Sequence, residues 1–422
     1  MINQEAIACR YRIRLYRAEK QYSLTMLSKR LNLSISTLRR IEKGETAVPP
    51  HVLEHMQILL GLKKESEEYK NAIENHFKTI IKALYFADYA KAKRLFERHF
   101  SDEEGFLKSS FFLDYYLLKT TYLMLSRNDI KHFEDDLLKM RLVEDYYLDK
   151  YKDLYYLMNA RYEMMKYHLD CAKRYFEKHR AVSINENYLA MNYYYQGILL
   201  GFSYRTYQEA LRRFTHAKQL FQAQNNFIRV VETKIIQQRL LIYVNNYPGF
   251  HRLNEETLHY AEIHDNTLIY NYSLHTKALY YIATKAYQEA LDLMNQYHIN
   301  TIEYYFRKVV VLFYLGHYQE AKQMMEVKST QVQDASLAAI LSGYKTFSSL
   351  IDGLPKTRIE THLKDFADKA YASEAYFLIK VAFKLIIQFL EKERKYKAAY
   401  SYSKKLLDVT TKMVRWTNED LS

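Results

Sequence analysis

Residues 34–43, SISTLRRIEK, gather three hydroxyls, three aliphatic side chains, two adjacent arginines, a glutamate and a lysine into ten positions. That set suits a polyanion rather than a reaction centre. A guanidinium pairs bidentately with guanine, and an aliphatic side chain fits against a thymine methyl. Hydroxyls and amines hold phosphates, which fix register without reading sequence. On a helix lying in the major groove, the first turns are nearest the base edges. If this stretch is such a helix, Ile35, Ser36, Thr37 and Arg40 fall to bases, and Ser34, Arg39 and Lys43 to phosphates.

The charge distribution agrees. Residues 1–64 hold twelve Lys and Arg against five Glu, a net +7, while the other 358 residues share only +6 of the total +13. A basic head on a nearly balanced body points to a polyanion partner for the head. Catalytic chemistry finds no comparable support. The chain contains no G-x-x-x-x-G-K-[ST], H-E-x-x-H or G-x-S-x-G, and its fifteen His are scattered. Two cysteines, Cys9 and Cys171, exclude a disulfide framework or a Cys-based zinc site and fit a reducing compartment. We expect no enzyme, no catalytic residues, no metal and no cofactor. The first residues lack an apolar signal core and no apolar run is long enough to span a bilayer, so the expectation is a cytoplasmic protein without a membrane partner.

The elements that position these residues must be helices. Nine Gly and four Pro in 422 residues leave little for β-turns, and 49% apolar residues exclude a disordered chain. In the head, Ile7, Tyr11, Leu15 and Ala18 mark one face of a helix over 4–20. Ser23 caps a second, 24–31; Asn32–Leu33 make a tight turn; Ser34 caps a third, 35–43, which Gly44 stops. Pro49–Pro50 open a fourth that closes at Gly61, and the charged KKESEEYK, 63–70, reads as a linker.

The body repeats. DYAKAKRLF at 88–96, HLDCAKRYF, TYQEALRRF, AYQEALDLM, HYQEAKQMM and KYKAAYSYS align Ala92, Ala172, Ala210, Ala290, Ala321 and Ala399. Five of the six fit a period near 39–40, with some units degenerate and one short. Asn187, Asn226, Asn266 and Asn300 precede apolar helical runs and read as caps. Such a period means stacked helical hairpins, with the Ala allowing close approach and aromatics filling the grooves. The 42 Tyr read as groove fillers, and the lone Trp416 as packing in the last helix.

Two resemblances follow from these residues. The stretch SLTMLSKRLNLSISTLRRIEKG, with Leu27, Leu31, Leu33, Leu38 and Ile41 at its apolar positions, resembles the repressor-type helix-turn-helix. Ser28 stands where that motif usually has Ala, and Asn32 where it has Gly. The resemblance implies that Arg17 braces Glu42 rather than touching DNA. The repeats resemble tetratricopeptide units, which implies a right-handed superhelix with a concave face. Together, head and repeats resemble the RRNPP family of peptide-sensing regulators. The expected fold is all-α, with a helix-turn-helix domain at 1–66, a linker or start of the first repeat helix at 67–76, and about nine hairpins at 77–422 in a tetratricopeptide-like solenoid.

Function follows from the resemblance in the same way. It implies a homodimer on a palindromic operator in double-stranded DNA, and a short linear signalling peptide in the concave groove. Peptide backbone pairs best with amides. Counting five and nine residues past each cap gives Asn192/Gln196 and Asn271/His275, but Val231/Ile235 and Tyr305/Val309 in the other units. Counting three and seven gives Ala190/Tyr194, Arg229/Thr233, Ile269/Ser273 and Glu303/Arg307. The sequence leaves both columns open, and the candidates are Asn192, Gln196, Arg229, Gln237 and Asn271. The alternative reading is a repeat scaffold or phosphorelay modulator that binds a protein such as a response regulator.

Overall fold

The computed structural model describes residues 4–62, 65–126, 132–166, 168–183, 185–203, 206–297, 299–330, 337–373 and 375–414. Trp416 and the Lys63–Lys64 pair lie outside the described residues. Every regular element among those residues is helical. The chain forms two compact units, 1–192 and 193–422.

Unit 1 begins with four short helices, α1 (Gln4–Glu19), α2 (Leu24–Arg30), α3 (Ile35–Lys43) and α4 (Pro50–Leu60). They close around Cys9, Ile13, Leu27, Leu31, Leu38, Ile41, Val52 and Met56. Hairpins follow without a long linker. Ser66 accepts from the Tyr69 amide and caps α5 (Glu67–Tyr85), so the second half of the 63–70 segment and all of 67–76 belong to the start of that helix. α5 pairs with α6 (Tyr89–His99). After the short α7 (Glu103–Leu107), α8 (Phe112–Ser126) pairs with α9 (Glu134–Leu142). The short α10 (Glu144–Lys150) then leads into α11 (Lys152–Met165) and α12 (Leu169–Val182).

The division between units falls inside α13 (Glu186–Ile198), which ends in a π-helical turn, Leu199–Ser203, before α14 (Tyr207–Ala223). The remaining pairs are α15 (Phe227–Tyr243) with α16 (Tyr247–Ile263), α17 (Thr267–Ala283) with α18 (Tyr287–Met294), α19 (Ile302–Leu315) with α20 (Tyr318–Ser329), α21 (Ala338–Ile351) with α22 (Lys356–Ala372), and α23 (Tyr376–Lys392) with α24 (Tyr396–Val414). Among the described residues this makes nine hairpins.

The six aligned alanines share one structural position. Each is the fourth residue of the second helix of its hairpin, and each is buried. The units that lack the motif put another buried side chain there: Leu137 in α9, Phe250 in α16 and Ile359 in α22. Phe250 stands forty residues from both Ala210 and Ala290, so the repeat persists where its small residue does not.

The turns account for the scarcity of glycine. From α14 to α18 the helices start at Tyr207, Phe227, Tyr247, Thr267 and Tyr287, twenty residues apart. From α15 to α18 the residue before each N-cap is left-handed: Asn225, Asn245, Asp265 and Lys285, with φ between 47° and 64°. Asn and Asp tolerate that region better than most L-residues, and Lys285 adopts it at some cost. Asn246 and Asn266 then cap their helices, accepting from the Gly249 and Ile269 amides at 3.0 Å.

Two of the sequence-assigned caps differ. Asn187 lies inside α13, and its amide donates to the side chain of Asn185, which precedes the helix. Asn300 gives way to Thr301, whose hydroxyl accepts from the Tyr304 amide. A cap shifted by two residues changes every offset counted from it.

The crossing at the small residue should be intolerant of bulk. A Cβ built on Gly201 would lie 3.3 Å from the Ala210 Cβ, so the neighbouring backbone is already close. Ala210→Leu should destabilise by about 1–3 kcal/mol through overpacking. Phe250→Ala, at the same register, should cost about 3–5 kcal/mol by leaving a cavity. Melting curves of both variants check the pair.

Candidate functional site

The head presents its third helix as the sequence requires. Ser34 accepts from the Thr37 amide at 3.0 Å and lies 2.8 Å from the hydroxyls of Ser36 and Thr37. Asn32, at φ 53°, makes the turn between α2 and α3. Gly44, at φ 73°, ends α3, and a Cβ there would meet the Arg10 guanidinium. Leu38 and Ile41 point into the core, leaving Ile35 (43% exposed), Ser36, Arg39, Arg40 and Lys43 exposed and Thr37 half-buried. An exposed isoleucine beside two arginines is a poor solvated face and a good groove-reading one.

Not all the head's charge faces outward. Arg17 donates from Nε and Nη2 to the two carboxylate oxygens of Glu42, at 2.8 and 3.1 Å. Glu42 is buried, so this fork orients α1 against α3, in the bracing arrangement the resemblance implies. Arg14 donates from Nη1 to both oxygens of Asp145, at 2.7 and 2.8 Å, and from Nη2 to the Leu142 carbonyl. Tyr11 meets Tyr146 edge-on at 5.2 Å, and Arg12 lies over the Phe112 ring. The head therefore docks on α8, α9 and α10 within unit 1, and Arg14 serves that contact.

Counting from the true helix starts separates the two amides that the sequence had aligned. Asn192 is the seventh residue of α13, equivalent to Thr233 in α15 and Ser273 in α17, and all three are buried. Asn271 is the fifth residue of α17. The Asn192 amide is fully enclosed and donates to the Phe176 carbonyl at 3.1 Å and to His179 Nδ1 at 2.8 Å. Gln196 is buried, and Arg229 is buried and paired with Glu232 at 2.7 Å. Gln237 is buried with an Oε1 that meets no donor. Asn271 alone of the five is half-exposed.

The structure adds residues that the sequence reading did not select. His275, one turn after Asn271, faces Tyr297 at 3.0 Å and Arg307 Nη1 at 3.3 Å. An arginine can only donate, so His275 Nε2 accepts and its proton sits on Nδ1, directed at the Tyr297 oxygen. Burial and the charges of Arg307 and Arg239 hold this ring well below the usual histidine range. Arg239 on α15 is itself lowered, by burial first and then by Arg307. One signal was available: Glu232 is the only acid in α15, leaving Arg239 no partner on its own helix. Unit 1 holds a cavity of about 570 Å³ lined by Phe77, Lys78, Lys82, Asp114, Lys150 and Tyr151, among others. Among the described residues no cluster of His, Cys, Asp and Glu could hold a metal, and no helix is long and apolar enough to cross a membrane.

Comparison with known proteins gives two findings. A family model described as a helix-turn-helix domain matches residues 11–68. The fold matches the apo form of the quorum sensor NprR from B. thuringiensis (17% identity, TM-score 0.53, 81% of this chain and 99% of that one). It also matches NprR in complex with its cognate peptide NprX (19%, TM-score 0.59, 80% and 99%) and the apo form of RapI (12%, TM-score 0.50, 81% and 98%). No curated protein matches the sequence at a significant level. The chain thus carries a helix-turn-helix domain, and its body has the helical-repeat fold of these regulators.

The Asn192–His179 pair generates a prediction. Burial pushes His179 down to about 4 from 6.5, so it is neutral in the fold and accepts from Asn192. Between those values the unfolded chain binds a proton that the native one does not. Stability should therefore rise with pH across that window, and acidification through it should cost up to about 3 kcal/mol. His179→Gln should flatten that part of a plot of melting temperature against pH. Asn192→Ala should cost about 1–3 kcal/mol at neutral pH.

Proposed function

We propose that the chain is a cytoplasmic transcriptional regulator that binds an operator through α3 and takes a short linear signalling peptide on its repeats. The observation that carries the DNA half is the exposed face of the recognition helix. Ile35, Ser36 and Arg40 stand clear of the core with Thr37 half-buried beside them, and among the described residues neither Arg39 nor Arg40 makes an ion pair. The helix-turn-helix match and the fold shared with NprR, one of whose structures holds its cognate peptide, support the combination. The same arrangement implies a homodimer, because two heads on a palindrome must reach half-sites about 34–36 Å apart or a multiple of it. The likeness to RapI fits the alternative, a repeat scaffold acting on a protein such as a response regulator. That alternative gives the exposed recognition helix no task.

Mobility shifts on the chain's own upstream DNA test the reading. Arg40→Ala should lose about 1–3 kcal/mol at a specific site and relax its sequence preference at one position. Lys43→Ala should weaken all sequences alike and lower the salt slope by about one. Unchanged binding in both variants removes α3 as the reading helix. Light scattering on the full chain at micromolar concentration should give twice the monomer mass.

A further inference from the structure

One face of unit 2 carries cations without counter-charges. Arg239 and Arg307 each keep an Nε cut off from solvent and without an acceptor. The one acid of α15, Glu232, is held by Arg229. Arg307 instead points Nη1 at the neutral ring of His275, at a long 3.3 Å. An imidazole lone pair is a weak acceptor for a guanidinium, whose fork matches a carboxylate. Asn271, one turn before His275 on α17, is half-exposed and makes no hydrogen bond among the described residues.

The positive surface continues along α23. Arg307 lies 5.5 Å from the centre of the Phe377 ring, and Phe377 also lines an adjoining cleft of about 60 Å³. Lys285, Lys380 and Lys384 share that cleft with Tyr243 and Tyr376. Among the described residues none of the three lysines makes an ion pair, and α23 holds only one acid, Glu391, near its end. Burial lowers Lys380 and Lys384, and the neighbouring lysine charges lower them further. Partly buried charges without partners are costly, so Arg239, Arg307, Lys380 and Lys384, with exposed Lys285 beside them, describe the complement of an anion.

We propose that this face binds a short acidic peptide, one carboxylate between Arg239 and Arg307 and a second at Lys380 and Lys384, with Asn271 pairing to its backbone. The proposal rests on the peptide-sensing reading above and adds the charge of the ligand. Lys380 and Lys384 follow Phe377 by one and two turns, roughly 5–10 Å along the helix. An extended chain covers that distance in about two or three residues. Aromatic walls and an amide suit a peptide, which has apolar side chains and both N–H and C=O groups to offer. The arginines are too enclosed for a duplex backbone to reach.

The full-length protein should be titrated with three probes: a random hexapeptide pool carrying two Asp two or three residues apart, the same pool with Asn and amidated C-termini, and inorganic phosphate. The acidic pool should bind more tightly by roughly ten- to hundredfold, the value of hydrogen bonds to charged groups. Arg239→Gln and Arg307→Gln should each abolish that preference, with melting temperatures unchanged or raised because an unpaired cation is removed. A lowered melting temperature in both variants would mark these arginines as internally paired and overturn the inference. Equal binding of both pools sinks the acidic preference while leaving a peptide receptor. Binding of phosphate alone overturns the commitment to a peptide, and retention of no peptide overturns both readings together.

Discussion

The nearness of two helices at one side chain sets the geometry of the repeat region. In each hairpin the fourth residue of the second helix is buried, and in six of nine it is alanine. A methyl group lets the backbones approach, and long aromatic neighbours then fill what remains; Phe214 against Tyr194 in α13 is one such contact. Where Phe250 replaces alanine, the twenty-residue helix spacing is kept, so the surrounding side chains absorb the added volume. Left-handed Asn, Asp and Lys residues serve the turns that glycine would otherwise supply, and the chain reaches nine hairpins with only nine glycines.

Charge in the head divides between internal bracing and an outward-facing set on α3. Arg17 is committed to Glu42, Arg14 to Asp145, and Arg10 lies over the Tyr11 ring. Arg39, Arg40 and Lys43 remain on the exposed side of α3, with Lys29 close by on α2. The net +7 of the first 64 residues is thus a poor measure of the phosphates the head can neutralise. The pairs it forms internally are individually modest. An exposed contact such as Arg14–Asp145 is worth about 0.2–1 kcal/mol. With Nη1 on Asp145 and Nη2 on the Leu142 carbonyl, it matters more for orientation than for energy, since it fixes how α1 lies on α9 and α10.

Local signals made the head legible. Caps at Ser23 and Ser34, the left-handed Asn32 and Gly44, and the apolar Leu27, Leu31, Leu38 and Ile41 depend on near neighbours, and the structure places each as the sequence indicates. Ala18 of the expected α1 face is instead exposed, and Cys9 and Ile13 take the core. The repeats were legible as a period for the same reason. The groove was not, because facing depends on where a helix begins, and Asn185 rather than Asn187 precedes α13. An error of two residues rotates the count by over half a turn, which is how enclosed Asn192 came to be matched with half-exposed Asn271. Arg239 and Arg307 escaped notice because a missing partner is a property of neighbouring helices and leaves no motif.

Unit 1 sets the head and a cavity at two ends of one short helix. Asp145 and Tyr146 of α10 meet the head through Arg14 and Tyr11. Lys150, at the end of the same helix, and Tyr151 line the 570 Å³ cavity. Buried Asp114 joins the two sides, accepting from the Tyr146 hydroxyl and the Lys150 ammonium at 2.8 Å each, and from Tyr151. Its two oxygens offer about four lone-pair sites, so all three donors are held at once. Tyr146 is also the ring on which Tyr11 rests. Two hydrogen bonds and one aromatic contact thus join the cavity wall to the helix-turn-helix domain, along a helix of seven residues.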